Sequence, residues 1–223
     1  MQRNRSIIRN FIFGILFCLL NAQNPFILDS SLSSVVNQSI ANDIQIADVN
    51  KDGYYDIIYS GYDSSRFGLF IDIYLSNSEG TLSQGYQTNF ITYPDTIGEH
   101  IGGIGNIDLS DVNLDGYIDI YMNGSAKSKL LFNDSNGSFT ESSWLQNLSI
   151  SHSHGGWADV NMDGKPDLFL MGVNEYSDNI LNELYINNGN FLEADPTTIF
   201  PSLFTGSNSW GDYDSDGDPC LLY

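Results

Sequence analysis

From residue 40 onward, apolar and polar positions follow one recurring order. The short apolar runs Ile57-Ile58-Tyr59, Ile120-Tyr121-Met122 and Leu168-Phe169-Leu170 are each followed, in the same register, by Gly61, Gly124 and Gly172. A short run of this kind, closed by glycine, reads as a buried strand and not as a helix. Further along come IYLSNSEGTLSQ (73–84), LLFNDSNGSFTE (130–141) and LYINNGNFLEA (184–194). Each is a strand, an Asn/Gly turn and a second strand, which is a hairpin signature. One more apolar position precedes each unit, at Ile46, Leu109, Trp157 and Trp210, followed by a small residue at Ala47, Ser110, Ala158 and Gly211. Every unit thus holds about four strands, and no segment of useful length after the amino-terminal stretch carries a helical apolar stripe.

Between the first and second strands of each unit stands an acidic phrase: DVNKDGYYD (48–56), DVNLDGYID (111–119), DVNMDGKPD (159–167) and DYDSDGDPC (212–220). Their first residues are 63, 48 and 53 positions apart. A period near 50 marks a repeat architecture, and four-stranded units at that period are the blades of a β-propeller. The expected fold is therefore all-β, with propeller blades of about four antiparallel strands, three full blades and a truncated fourth. The blades fall at about 40–98, 99–150, 151–205 and 206–223. Three blades and a fragment do not make a ring, because propellers use about 4 to 8 blades. The chain is accordingly expected to be a truncated or frame-disturbed piece of a longer repeat protein, with an exposed sheet edge at its end.

The acidic phrase has its own chemistry. Positions one, three, five and nine offer oxygen side chains, position seven can offer a backbone carbonyl, and glycine at position six permits the sharp turn around one point. Carboxylates crowded this closely repel unless a cation sits among them. Hard oxygen ligands in a flexible loop suit Ca²⁺ better than Mg²⁺, and the absence of thiolate or imidazole from the first three phrases disfavours zinc and copper. An EF-hand would need Glu at position twelve and flanking helices. Position twelve is instead Tyr59, Met122, Leu170 and Tyr223. The alternative of a plain acidic turn without metal explains one Asp-Gly but not the further oxygens in fixed register.

The amino end changes the setting. Arg3, Arg5 and Arg9 precede the apolar run Phe11–Leu20, and Asn21-Ala22-Gln23 follows, the order of a secretory signal peptide. The run is shorter than the roughly 20 residues of a membrane span, which argues against an uncleaved anchor. Residues 1–22 are read as export signal, 23–39 as an amino-terminal strand segment and 40–223 as the repeats. Within the segment, PFILDSSL (25–32) resembles the outer hairpin strands and is a candidate last strand for a blade otherwise built from the carboxyl end. The expected location is secreted or at the cell surface, with no membrane insertion after signal removal.

The chain carries 28 acids against 8 Lys plus Arg, a formal charge of −20, and the signal holds three of those bases. Such acidity excludes nucleic acid and anionic membranes as natural partners. Without the signal one cysteine remains, Cys220, so the monomer has no internal disulfide to hold an exported fold.

Small-Asp-x-Asn-x-Asp-Gly-x-x-Asp-apolar-apolar at a blade-sized period, with Asn/Gly hairpins between, resembles the FG-GAP/VCBS-type repeats of integrin-α-like β-propellers and many secreted bacterial proteins. GGWADVNMDGKPDLFL (155–170) and SWGDYDSDGDPCLL (209–222) carry the likeness most closely. The resemblance implies one Ca²⁺ per loop between the first two strands of a blade. Carried over, the ligands of the first loop are Asp48, Asn50, Asp52, Asp56 and the carbonyl of Tyr54. Those of the second are Asp111, Asn113, Asp115, Asp119 and the carbonyl of Tyr117. The third loop uses Asp159, Asn161, Asp163, Asp167 and the carbonyl of Lys165. The fourth offers Asp212, Asp214, Asp216 and the carbonyl of Asp218, and its ninth position is Cys220, a poor Ca²⁺ ligand.

Other residues weigh less. His152 and His154 have a chelating spacing but no evident third ligand, so a structural or surface role is favoured. Trp157 and Trp210 could stack on a sugar, yet their fixed place in the repeat favours core between blades. The loops take up 13 of the 28 acids, and no nucleophile stands beside a base. The expectation is a non-enzymatic exported protein for adhesion or protein interaction, with an extracellular protein or glycan as partner. The alternative is a glycan-binding lectin or an accessory domain of a polysaccharide-degrading enzyme.

Overall fold

The structure is a computed structural model that describes residues 9–12, 15–18, 28–29, 40–63, 68–90, 106–123, 128–145, 150–174, 179–202 and 206–222. Among the described residues every regular element is a strand. The first blade is the meander β4 (Ile40–Ala47), β5 (Asp56–Asp63), β6 (Gly68–Ser76) and β7 (Leu82–Phe90). The second is β8 (Ile107–Ser110), β9 (Asp119–Met122), β10 (Lys129–Asn133) and β11 (Phe139–Glu141). The third is β12 (Ile150–Ala158), β13 (Asp167–Asn174), β14 (Asn179–Asn187) and β15 (Leu192–Ala194). Each is a four-stranded antiparallel sheet in sequence order, and β16 (Ser209–Gly211) with β17 (Cys220–Leu222) begins a fourth. The acidic phrase connects the first two strands in all four, as expected.

The innermost strands lie side by side, β8 next to β4 and β12, and β12 next to β16. Blades therefore stack face to face around their first strands. The apolar runs are what they bury. Ile58, Ile71 and Ile73 of the first blade pack with Ile107, Ile120, Met122 and Leu131 of the second. Tyr121 and Leu130 of the second pack with Ile150, Leu168 and Leu170 of the third. Strands covered on both faces read as unbroken apolar runs and not as alternations, which is why the sequence shows Ile-Ile-Tyr and Leu-Phe-Leu.

Both tryptophans sit at these seams. The Trp157 ring meets Tyr121 of the preceding blade edge-on at 6.1 Å, and Trp210 meets Phe169 of the third blade at 6.4 Å. Two glycines in β12 make room for the neighbours. A Cβ at Gly155 would lie 2.9 Å from Asp108 Oδ2 of the second blade, and one at Gly156 would run into Asn208 Oδ1 of the fourth.

The described amino-terminal strands pair among themselves. β1 (Arg9–Ile12) pairs with β2 (Ile15–Cys18), and β3 (Leu28–Asp29) pairs with β2. Of the stretch 25–32, only Leu28 and Asp29 are among the described residues, so its expected place in the last blade lies outside them. Among the described residues no helix is long and apolar enough to cross a membrane.

Candidate metal centre

The four acidic loops follow one backbone path. Position four is left-handed in each, at Lys51 (φ 57°), Leu114 (φ 58°), Met162 (φ 57°) and Ser215 (φ 61°). The position-six glycines have φ of 88°, 90°, 87° and 97° at Gly53, Gly116, Gly164 and Gly217. A Cβ at Gly53, Gly164 or Gly217 would meet nothing within 4 Å. Glycine is required there for its dihedral freedom and not for space.

The path turns the polar side chains inward. At position one, Asp48, Asp111, Asp159 and Asp212 accept the N–H of the position-six glycine at 2.9, 2.8, 2.8 and 3.1 Å. At position five, Asp52, Asp115, Asp163 and Asp216 accept the N–H of Tyr54, Tyr117, Lys165 and Asp218 at 2.9, 2.8, 3.0 and 3.0 Å. Position three accepts in turn from position five, with Asn50, Asn113 and Asn161 taking the N–H of Asp52, Asp115 and Asp163. In the third loop the Lys165 ammonium also bonds Asp163 Oδ2 at 2.6 Å and holds that carboxyl below the usual carboxylate range.

Two observations show that these residues fit a hard cation. Asp111 Oδ1 is buried with no hydrogen-bond partner, an orphaned carboxylate oxygen that a cation would satisfy. In the fourth loop, oxygens of Asp212, Asp214 and Asp216 all come within 4.8 Å of one another. Oxygen-only donors in a flexible loop match Ca²⁺ chemistry.

Position nine has a second role that the sequence did not reveal. Asp56, Asp119 and Asp167 are fully buried. Each accepts the backbone N–H of position two through Oδ2, from Val49 at 3.0 Å, Val112 at 2.9 Å and Val160 at 3.0 Å. Each accepts a second N–H through Oδ1 from the strand entering the hairpin, from Ser76 at 2.8 Å, Asn133 at 2.9 Å and Asn187 at 2.8 Å. The carboxylate clasps the loop to its own blade, and lone pairs remain for a cation. Burial raises all three above the usual carboxylate range, Asp119 to about 6, and the backbone donors oppose that rise.

Cys220 replaces the carboxylate of this clasp in the fourth loop, where its Sγ meets the backbone of Tyr213 at position two and lies 3.9 Å from the carbonyl of Asp218. The loop nevertheless keeps the shared dihedrals and the bonds from Asp216 and Gly217 to Asp212. The substitution therefore touches the anchor and spares the converging trio.

Sequence reading also passed over Asn133 and Asn187, taken there only as turn formers. Their Nδ2 atoms donate across the blade seam, to the carbonyls of Val49 at 2.8 Å and Val112 at 2.9 Å. A usable signal was present, since both follow an apolar run in the same hairpin register where the first blade has Ser76. Of the histidines, His154 lies against Asn106 Nδ2 at 2.5 Å, between the second and third blades, and burial lowers its pKa. His152 lies in β12, and His100 is outside the described residues.

Four-stranded meanders stacked on their first strands, with one acidic loop apiece, define an open, propeller-like all-β repeat protein. The FG-GAP-like repeat family matches residues 111–170 and again 159–223, together about half of the sequence. The chain belongs to that FG-GAP-like repeat family. Among solved structures, an Agrocybe aegerita lectin described as recognising non-reducing terminal N-acetylglucosamine aligns with a TM-score of 0.41 and 18% identity, over 89% of this chain and 64% of the lectin chain. No curated protein sequence matches the chain.

Proposed function

We propose that this protein is an exported, calcium-binding repeat module that serves adhesion or protein interaction without catalysis. The observation that carries the calcium reading is the orphaned Asp111 Oδ1 inside a loop whose backbone path recurs four times. The residues that would hold the ion are those of positions one, three and five, with position nine behind them. The ion supplies positive charge to a chain of formal charge −20 in which Cys220 is free. The binding role is supported by the repeat family and by the engagement of the loop acids in shaping their own loops. The seam positions of Trp157 and Trp210 support the preference for adhesion or protein interaction over sugar stacking on these two rings.

The test is thermal unfolding in calcium and in chelator. With dissociation constants of about 10⁻⁴ to 10⁻³ M, 10 mM Ca²⁺ is ~10 to 100 times Kd and stabilises by about 1.4–2.7 kcal/mol per occupied loop. Identical melting curves in the two buffers overturn the calcium reading. Export is checked separately, by the amino-terminal sequence of protein recovered from the medium.

A further inference from the structure

We propose that Asn133 and Asn187 couple the candidate cation loops of adjacent blades, so that an ion in one loop raises the affinity of the next. The proposal rests on the calcium reading above. Asn187 donates its backbone N–H to Asp167 of the third loop, and its Nδ2 to the carbonyls of Val112 in the second loop and of Pro166 in the third. Val112 in turn gives its N–H to Asp119, which also accepts the N–H of Asn133. Asn133 reaches the carbonyl of Val49 in the first loop, and the Val49 N–H goes to Asp56. One continuous hydrogen-bonded path therefore runs from the third loop to the first, through all three position-nine carboxylates.

The path is enclosed. Asn133, Asn187, Val49 and Val112 are 3%, 0%, 0% and 1% exposed. Water cannot substitute for these bonds without opening the seam, and buried amides left unpaired are costly. Val49 and Val112 stand between the position-one and position-three side chains of their loops. An ion that draws those side chains together fixes the valine peptide, and with it the acceptor of the next blade's asparagine. The next loop then binds with part of its ordering already done, which is cooperativity through shared order. A second contact links the first pair of loops, where Lys51 Nζ lies 4.3 Å from the centre of the Tyr117 ring.

The first blade supplies the internal control. It carries Ser76 where the others carry Asn133 and Asn187. Ser76 still gives its N–H to Asp56 at 2.8 Å. Serine therefore supports the clasp at this register and omits the interblade donor. Coupling is reciprocal, so removing an ion from the second loop weakens the third as much as the reverse.

The experiment is calcium titration of the full chain by calorimetry, in four versions: wild type, Asn187→Ser, Asp115→Asn and the double variant. Asp115→Asn is expected to remove one site and also weaken the remaining sites about five-fold or more. In the Asn187→Ser background the same change removes a site and leaves the third loop's affinity where Asn187→Ser alone put it. Asn133→Ser repeats the test at the other seam, should Asn187→Ser fail to fold. Loss of one site with no change in the remaining affinities, in wild type as in Asn187→Ser, overturns the coupling and leaves the calcium reading intact. No binding in any version overturns the calcium reading and the coupling with it.

Discussion

Replacing Gly155 by alanine tests whether the blades are as closely stacked as the structure makes them. The new Cβ would sit 2.9 Å from Asp108 Oδ2, 3.0 Å from Tyr121 Cε1 and 3.2 Å from Leu170 Cδ2. Tyr121 is fully buried and held edge-on against Trp157, so its ring has nowhere to retreat. Overpacking of a close-packed seam costs about 1–3 kcal/mol. With three tight contacts, the upper half of that range is expected, about 2–3 kcal/mol. For a chain of this length, each kcal/mol lowers the melting temperature by roughly 2–4 °C, and a fall of ~4–12 °C follows. Unfolding is followed by tryptophan fluorescence, because Trp157 sits on the seam itself. Gly211→Ala is the control. Its Cβ would meet nothing within 4 Å, and the equivalent positions are Ala47 and Ala158. That variant should melt with the wild type or slightly above it, since alanine restricts the unfolded chain. If Gly155→Ala also melts with the wild type, the seam is not packed as described.

A pH prediction follows from Asp108, whose Oδ2 is buried without a partner and whose pKa is raised to about 7, first by burial and then by Asp43. Its neutral form is favoured in the folded state, so that contribution is complete below about pH 4 and is lost as pH rises to about 7. Asp108→Asn stays neutral throughout. In urea unfolding it should gain on the wild type between those pH values, by up to about 4 kcal/mol, whereas a constant difference from pH 4 to pH 8 contradicts the assignment. Gly164→Ala probes backbone strain alone, because a Cβ there meets nothing within 4 Å while φ is 87°. A loss of about 1–2 kcal/mol is expected in the same assay, and an unchanged midpoint would show that the loop takes another path.

Much of this architecture was legible because the information is local and repeated. A short apolar run closed by glycine specifies a strand wherever it stands. An Asp-Gly six residues into an acidic phrase specifies a left-handed turn through glycine's own dihedral freedom. Four copies in register then name a blade. The oxygens at positions one, three and five accept the loop's own N–H groups along the same local path. Position nine was legible only in part. Its spacing marks it as a loop oxygen, but its backbone donors come from Ser76, Asn133 and Asn187, 20, 14 and 20 residues further on.

What the sequence determined by itself, then, is the set of strands, their order within each blade and the shape of the loops, all properties of bonds and dihedrals a few residues apart. The tertiary structure alone decided what happens across the seams. It set Asn187 on Val112, 75 residues away, and brought Tyr121 against Gly155. Those contacts join residues far apart in the sequence, and they arise only when one buried face closes on another.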